Sequence, residues 1–196
     1  MYDTLCIIFA IFMGYILGAL PFAVIVSKLK GIDIMKVGTC NPGAANVFRE
    51  VGKVPGIFTW LGDTLKGVLA MLIAHRLMHL HLFFVALVGI AAVVGHCWSI
   101  FIGFKGGKGV ATSGAVFFYL VPKFFPIGVV AYFLTQKIAP RSATFVIATF
   151  AICFGLILFM YREIWQWLLP ALLIFLLVGI LANLDTIREI KERRRK

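Results

Sequence analysis

The chain has 196 residues, 62% of them hydrophobic and 14% charged, with a formal net charge of +11. Soluble domains carry about 25% charged residues, so this balance excludes an ordinary soluble globule and places the chain in the membrane class. No soluble module combining aromatic and basic residues accompanies the excess charge, so it points to orientation in a bilayer, anionic headgroups or anionic substrates, and not to nucleic acid.

The first apolar run, Leu5 to Val26, is too long for a signal-peptide core and has no basic leader, so it reads as a retained span. A loop over 28–54 follows, containing VGTCNPGAANVFREVGK at 37–53. The next spans are 55–74, which carries Asp63 and Lys66, and 82–103, which carries His96. Between Gly109 and Gln136 the apolar stretch is too long for one comfortable crossing, and Pro122, Lys123 and Pro126 interrupt its middle. Two short helices, 106–121 and 124–139, fit better, at the cost of local thinning or tilted neighbours. Spans at 143–160 and 163–182 and a basic tail, 185–196, complete the chain.

The expected fold is therefore an all-α polytopic membrane protein with seven transmembrane helices, formed as one domain over 1–196. With seven crossings, the loops 28–54, 104–109 and 137–142 share one side with the tail, leaving Arg76, Lys123 and Arg162 on the other. The positive-inside rule then puts the N-terminus outside and the C-terminus in the cytoplasm. Cys6, Cys40, Cys97 and Cys153 show no CxxC spacing, so neither a zinc site nor a disulfide framework is expected. His75, His79 and His81 fall on the outer side and read as interface decoration.

Two unusual loops thus meet on the cytoplasmic face. In the first, Gly38, Asn41, Pro42, Gly43 and Asn46 are turn formers able to present backbone N–H groups to an anion, and Arg49 behind them can fork onto a phosphate. The second, FKGGKGVAT at 104–112, combines Gly106, Gly107 and Gly109 with Lys108, ahead of a helix start that favours anions. It is no Walker A loop, because the Gly-Lys-Ser/Thr order and the preceding strand are both missing. Asp63 and Lys66, three residues apart, can pair on one helix face, and Lys66 can lend positive charge near the cytoplasmic rim. His96 is a candidate for proton transfer or substrate contact. Neither a Ser-His-Asp arrangement, a His-x4-Asp box nor an HExxH motif is found, so the polar inventory suits phosphate binding better than nucleophile formation.

GTCNPGAANVFREVGKVPGIFTWLGDTLKG and GHCWSIFIGFKGGKGVATSG resemble the bacterial acyl-phosphate:glycerol-3-phosphate acyltransferases, the PlsY family, over roughly 14–115. The resemblance implies transfer of an acyl chain from acyl phosphate to the 1-hydroxyl of glycerol 3-phosphate, giving lysophosphatidate and phosphate for phospholipid synthesis. It implies a multi-pass protein of the bacterial inner membrane with a cytoplasmic active site, acting on these two small molecules; a monomer without cofactor is expected, and no metal, because the cytoplasmic loops are basic and carry only Asp33 and Glu50 as acids. His96, Lys108 and Arg49 are then the catalytic candidates. Gly38, Thr39, Asn41, Gly43, Asn46, Lys66, Gly106, Gly107, Gly109, Thr112, Ser142 and Asn183 are the substrate-binding ones. The chain departs from the family pattern at Thr39, Cys40 and Ala45 in the first loop, at Pro140, and at Ile180 where a histidine is usual. These departures keep in view a paralog with another acceptor or little activity, while Asp63, Lys66 and the glycine loops keep in view an anion-binding transporter whose path they would line.

Overall fold

A computed structural model describes residues 3–122 together with positions 126, 130 and 159. The expected spans 124–139, 143–160 and 163–182, the 137–142 loop with Ser142, Asn183 and the basic tail lie outside the described residues. Within them the protein is all-helical, with α1 Thr4–Ala19, α2 Phe22–Lys28, α3 Ala44–Glu50, α4 Lys53–Leu72, α5 Leu82–Cys97 and α6 Val110–Leu120. A π-helical turn, Ile73–Leu77, prolongs α4. Thr4–Lys28 and Lys53–Leu77 are each 25 residues long and apolar enough to cross a membrane.

The first span differs from expectation. It is broken at Leu20–Pro21 and does not run unbroken over 5–26. Pro21 has no N–H to donate and cannot continue a helix interior. The Leu20 N–H turns back instead to the Leu17 carbonyl, 3.3 Å away, and α2 restarts beyond the proline. The third span also ends early, at Cys97 and not at 103. Ser99 caps a short 3-10 turn, its Oγ accepting the Phe101 N–H at 3.2 Å. Gly103, at φ +67°, then reverses the chain so that the Ser99 N–H reaches the Lys105 carbonyl at 3.0 Å. The helix expected over 106–121 begins only at Val110, because the glycines before it form the loop, and it stops at Leu120 just ahead of Pro122.

Helix α4 is the hub and touches each of the other five helices. The α1–α5 pair has the most extensive contact, and its basis is local. Side chains on Gly14 and Gly18 would strike Val88 and Ala92 of α5, and one on Gly95 would strike the Tyr15 carbonyl of α1. Small residues at these positions let two backbones approach closely, which is how helices associate in lipid without a hydrophobic driving force between them. The opposite face of α1 presents Leu5, Ile8, Phe9 and Phe12 outward, as a lipid-facing surface requires.

Candidate active site

The Pro21 break leaves two backbone carbonyls without their usual helical donors, and side chains from other helices supply replacements. Lys66 Nζ of α4 donates to the Leu20 carbonyl at 2.9 Å. Ser99 Oγ, just past α5, donates to the Ala19 carbonyl at 2.6 Å. Tyr15 adds a third tie nearby, its hydroxyl donating to the Trp98 carbonyl at 2.9 Å.

Asp63, one helical turn before Lys66, joins the same cluster. The expected pair forms, with Lys66 Nζ 2.9 Å from Asp63 Oδ1 and both side chains 3% exposed. The same carboxylate oxygen lies 3.4 Å from His96 Nδ1, which spacing along the chain could not show. Thr112 Oγ1 of α6 donates to the Asp63 carbonyl at 2.9 Å, so Asp63 links α4, α5 and α6. Buried charges persist when paired and hydrogen-bonded, and Asp63 and Lys66 meet that condition.

The glycine loop is folded onto His96. The Gly107 N–H donates to the His96 carbonyl at 3.1 Å. A Cβ on Gly107 would collide with His96 Nε2, and one on Gly106 with the carbonyls of His96 and Cys97. Gly109, at φ +77°, turns the chain into α6. Both neighbouring glycines are therefore required by close approach, and Gly109 by its left-handed backbone. Lys108 is half-buried between them.

A small cavity of about 10 Å³ lies where these parts meet, bounded by Lys66, His96, Ser99, Gly106 and Gly107, with Pro42 reaching it from the first loop. The structure thus brings the two motif loops together, as expected from their common side. It does so through Pro42 and not through the polar residues of the first loop. Asn46, 2% exposed, is occupied in holding that loop: its Oδ1 accepts the Thr39 N–H at 3.1 Å, and its Nδ2 donates to the Val37 carbonyl at 3.1 Å. Gly38, at φ +57°, fits beneath Asn46 and the Glu50 carboxylate with no room for a side chain. Gly43 caps α3 in extended conformation, Thr39 is exposed, and Asn41 Oδ1 is enclosed with no hydrogen-bond partner among the described residues. Arg49 does not line this cavity; it stands on the exposed side of α3 beside a separate groove. Thr112 is fully buried and tied to α4.

Sequence reasoning overlooked Asp63 as the partner of His96, and Ser99 and Tyr15 altogether. The helix-spacing rule reveals pairs within one helix, and these three residues act across helices or on backbone carbonyls.

A family model for glycerol-3-phosphate acyltransferase matches residues 8–193. The chain belongs to the glycerol-3-phosphate acyltransferase family. Within that family, a glycerol-3-phosphate acyltransferase of Thermus thermophilus is 37% identical over 194 residues, covering 95% of this chain and 94% of that protein. One from Rubrobacter xylanophilus is 42% identical over 132 residues, covering 67% of this chain and 64% of that protein, a little under two thirds of its length. Among solved structures, the crystal structure of PlsY (YgiH), an integral membrane glycerol 3-phosphate acyltransferase in its glycerol 3-phosphate form, superposes with a TM-score of 0.79. It is 29% identical, and the match covers 96% of this chain and 93% of that one. The lysophosphatidic acid form of the same enzyme gives a TM-score of 0.77 at 28% identity. The all-helical, integral-membrane character of this family member follows from that likeness.

Proposed function

We propose that the protein transfers an acyl chain from acyl phosphate to the 1-hydroxyl of glycerol 3-phosphate, releasing lysophosphatidate and inorganic phosphate for phospholipid synthesis. The observation that carries this reading is the glycine-lysine loop folded over His96 beside a polar cavity, in a chain whose family match runs over 8–193.

Acyl phosphate is a mixed anhydride with a good leaving group, so no covalent enzyme intermediate is needed. The acceptor hydroxyl oxygen attacks the carbonyl carbon, the bond from that carbon to the phosphate oxygen breaks, and phosphate departs with its electron pair. Catalysis then consists of aligning two anions and stabilising charge on the phosphate and carbonyl oxygens. N–H groups of Gly106, Gly107 and Gly109 and the Lys108 ammonium serve the donor phosphate. Gly38, Thr39, Asn41 and Gly43 of the first loop, together with Arg49, serve the second anion, as do Ser142 and Asn183. His96 takes the hydroxyl proton. Its Nδ1 lies beside Asp63, which favours the tautomer with Nε2 unprotonated and facing the glycine loop. Asn46, Lys66 and Thr112 act by holding this framework, as their buried hydrogen bonds support.

The protein works as a single domain over 1–196 with seven crossings, N-terminus outside and C-terminus inside, in the bacterial inner membrane. Its site opens to the cytoplasm, it acts as a monomer, and it needs no cofactor or metal. A transport path would need Asp63 and Lys66 open to a permeant anion, whereas both are buried and engaged.

Purified protein in detergent or nanodiscs, given palmitoyl phosphate and glycerol 3-phosphate, releases phosphate and forms lysophosphatidate, and palmitoyl-CoA does not substitute. Folded protein without turnover, or equal use of palmitoyl-CoA, rejects the assignment.

A further inference from the structure

The turn between α5 and the glycine loop carries large apolar residues on its outer surface. Ile100, Phe101 and Phe104 are each at least half exposed, and Lys105, also exposed, follows them. They lie past the end of α5 and ahead of α6, so the lipid-facing side of a crossing helix does not account for them. The turn is nonetheless firmly held. Ile102 packs inward against the cluster of Ala23, Val24, Ile34 and Val47. The Phe104 N–H donates to the Ser99 carbonyl at 2.8 Å, and the Ser99 N–H to the Lys105 carbonyl at 3.0 Å.

Gly103 and Phe104 are consecutive left-handed residues, at φ +67° and +57°. Glycine adopts that backbone freely and asparagine tolerates it, but a bulky aromatic is an outlier there. The sequence thus keeps an exposed aromatic ring where the local backbone favours another residue. A local rule broken in this way points to a task for the side chain outside the fold. The neighbouring lysine says what lies outside. An apolar tip joined to an ammonium matches the boundary of a phospholipid leaflet, where the ring enters the acyl layer and the lysine meets headgroup phosphate. The same pairing recurs independently at the end of α2, where Leu29, 81% exposed, stands between the exposed Lys28 and Lys30. Lys28 lies one helical turn beyond Val24, a member of the cluster that receives Ile102, so both tips belong to one rim.

We propose that Phe104 and Lys105 form an interfacial anchor. The ring seats at the headgroup–acyl boundary of the leaflet on the motif-loop face, and the Lys105 ammonium pairs with lipid phosphate. Leu29 with its two lysines is a second point of the same contact. The anchor sets the depth of the glycine loop, because Phe104 and Gly106 are two residues apart and separated by at most about 7 Å. Contact with the leaflet is independent of the acyl phosphate reading.

Two measurements test this. In the first, the four native cysteines are replaced by alanine, and nitroxide labels are placed at Phe104→Cys, Leu29→Cys and Lys36→Cys in phosphatidylglycerol nanodiscs. Lys36, with its side chain 81% exposed and paired to Asp33, is the aqueous reference. Collisions with oxygen, which concentrates in the bilayer, are compared with collisions with a water-soluble nickel chelate. Oxygen is expected to dominate at 104 and 29, and nickel at 36. Nickel dominance at 104 overturns the anchor, and so does protection from both reagents, which would mean that protein covers the ring. The second separates apolarity from folding. Phe104→Asn suits the left-handed turn, so its melting temperature in detergent is expected to equal or exceed that of the wild type. In nanodiscs its kcat/KM is expected to fall about tenfold through displacement of the loop, while Phe104→Leu stays within about twofold. A lowered melting temperature in Phe104→Asn marks an ordinary packing residue and overturns the anchor, as does unchanged kcat/KM in that variant. Oxygen dominance at 104 without any turnover leaves the anchor standing and removes the acyltransferase reading. Turnover with nickel dominance does the reverse.

Discussion

Cys40 has φ +54°, in the left-handed region that a residue with a Cβ avoids. It stands where the family resemblance puts a glycine, and the strained backbone gives that substitution a physical meaning. The left-handed conformation costs an L-residue about 1–2 kcal/mol, so Cys40→Gly is expected to raise the melting temperature in detergent, read by differential scanning fluorimetry. A lower melting temperature would show that the thiol contributes more than the strain costs. Gly107 is the opposite case. Its hydrogen atom faces His96 Nε2 with no space for a methyl group. Gly107→Ala therefore displaces the loop, and displacements of about 1 Å at a reacting centre cost about a hundredfold in rate. A steady-state assay on folded variant protein checks this, and turnover near that of the wild type would mean the loop is less constrained than its packing shows. Lys108→Ala removes one of the loop's two cations and is expected to lower kcat by about 10²–10³, the usual loss when one charge-stabilising donor is deleted. Ground-state binding alone would appear instead as a raised KM with unchanged kcat.

At the scale of elements, the Asp63–Lys66 pair holds α4 against the α1–α2 junction, α5 and α6. Removing one member of a buried pair leaves an uncompensated charge, at a cost of about 3–5 kcal/mol, whereas replacing both by apolar residues of similar volume is often near neutral. Asp63→Leu alone is expected to destabilise strongly, and Asp63→Leu with Lys66→Met to recover much of the lost melting temperature. Activity is expected to stay low in the double variant, because His96 still lacks its partner. Recovery of full turnover would show that Asp63 acts only on stability. The pair itself was legible in the sequence, since residues three apart share a helix face. The Asp63–His96 contact was not, because periodicity within one helix carries no information about which residue of another helix lies opposite. The helix ends divide in the same way. Pro122 between two apolar runs correctly marked where α6 stops. Pro21 was passed over because its neighbours are uniformly apolar and hydropathy does not register a missing N–H. Ser99 and Gly103 likewise end α5 through capping and a left-handed turn that an apolar average conceals.

On the scale of the whole molecule, charge put the two motif loops on one shared face, and Pro42 does meet Gly106 and Gly107 at one cavity. Which residues of those loops meet was not legible: Pro42, with no side-chain polar group, reaches the cavity, while Asn46 is occupied within its own loop. The charge distribution also yields a test of orientation. With the four native cysteines replaced by serine, a cysteine introduced at the tail, Lys196→Cys, is expected to resist an impermeant maleimide in intact cells and to react once the inner membrane is opened. Labelling of intact cells would reverse the topology.

The interruption at Pro21 has a consequence for engineering. Replacing proline by alanine inside a long apolar helix ordinarily improves a protein, because it restores a donor and favours helical backbone. Here a healed helix would let the N–H groups of Ala23 and Val24 claim the carbonyls of Ala19 and Leu20. Lys66 and Ser99 now depend on those two acceptors. The first crossing would become more regular, while the Lys66 ammonium would keep only Asp63 and the Ser99 hydroxyl would compete for its acceptor. In this molecule a flaw in one helix serves as the socket for two others, and smoothing it away would dismantle the join.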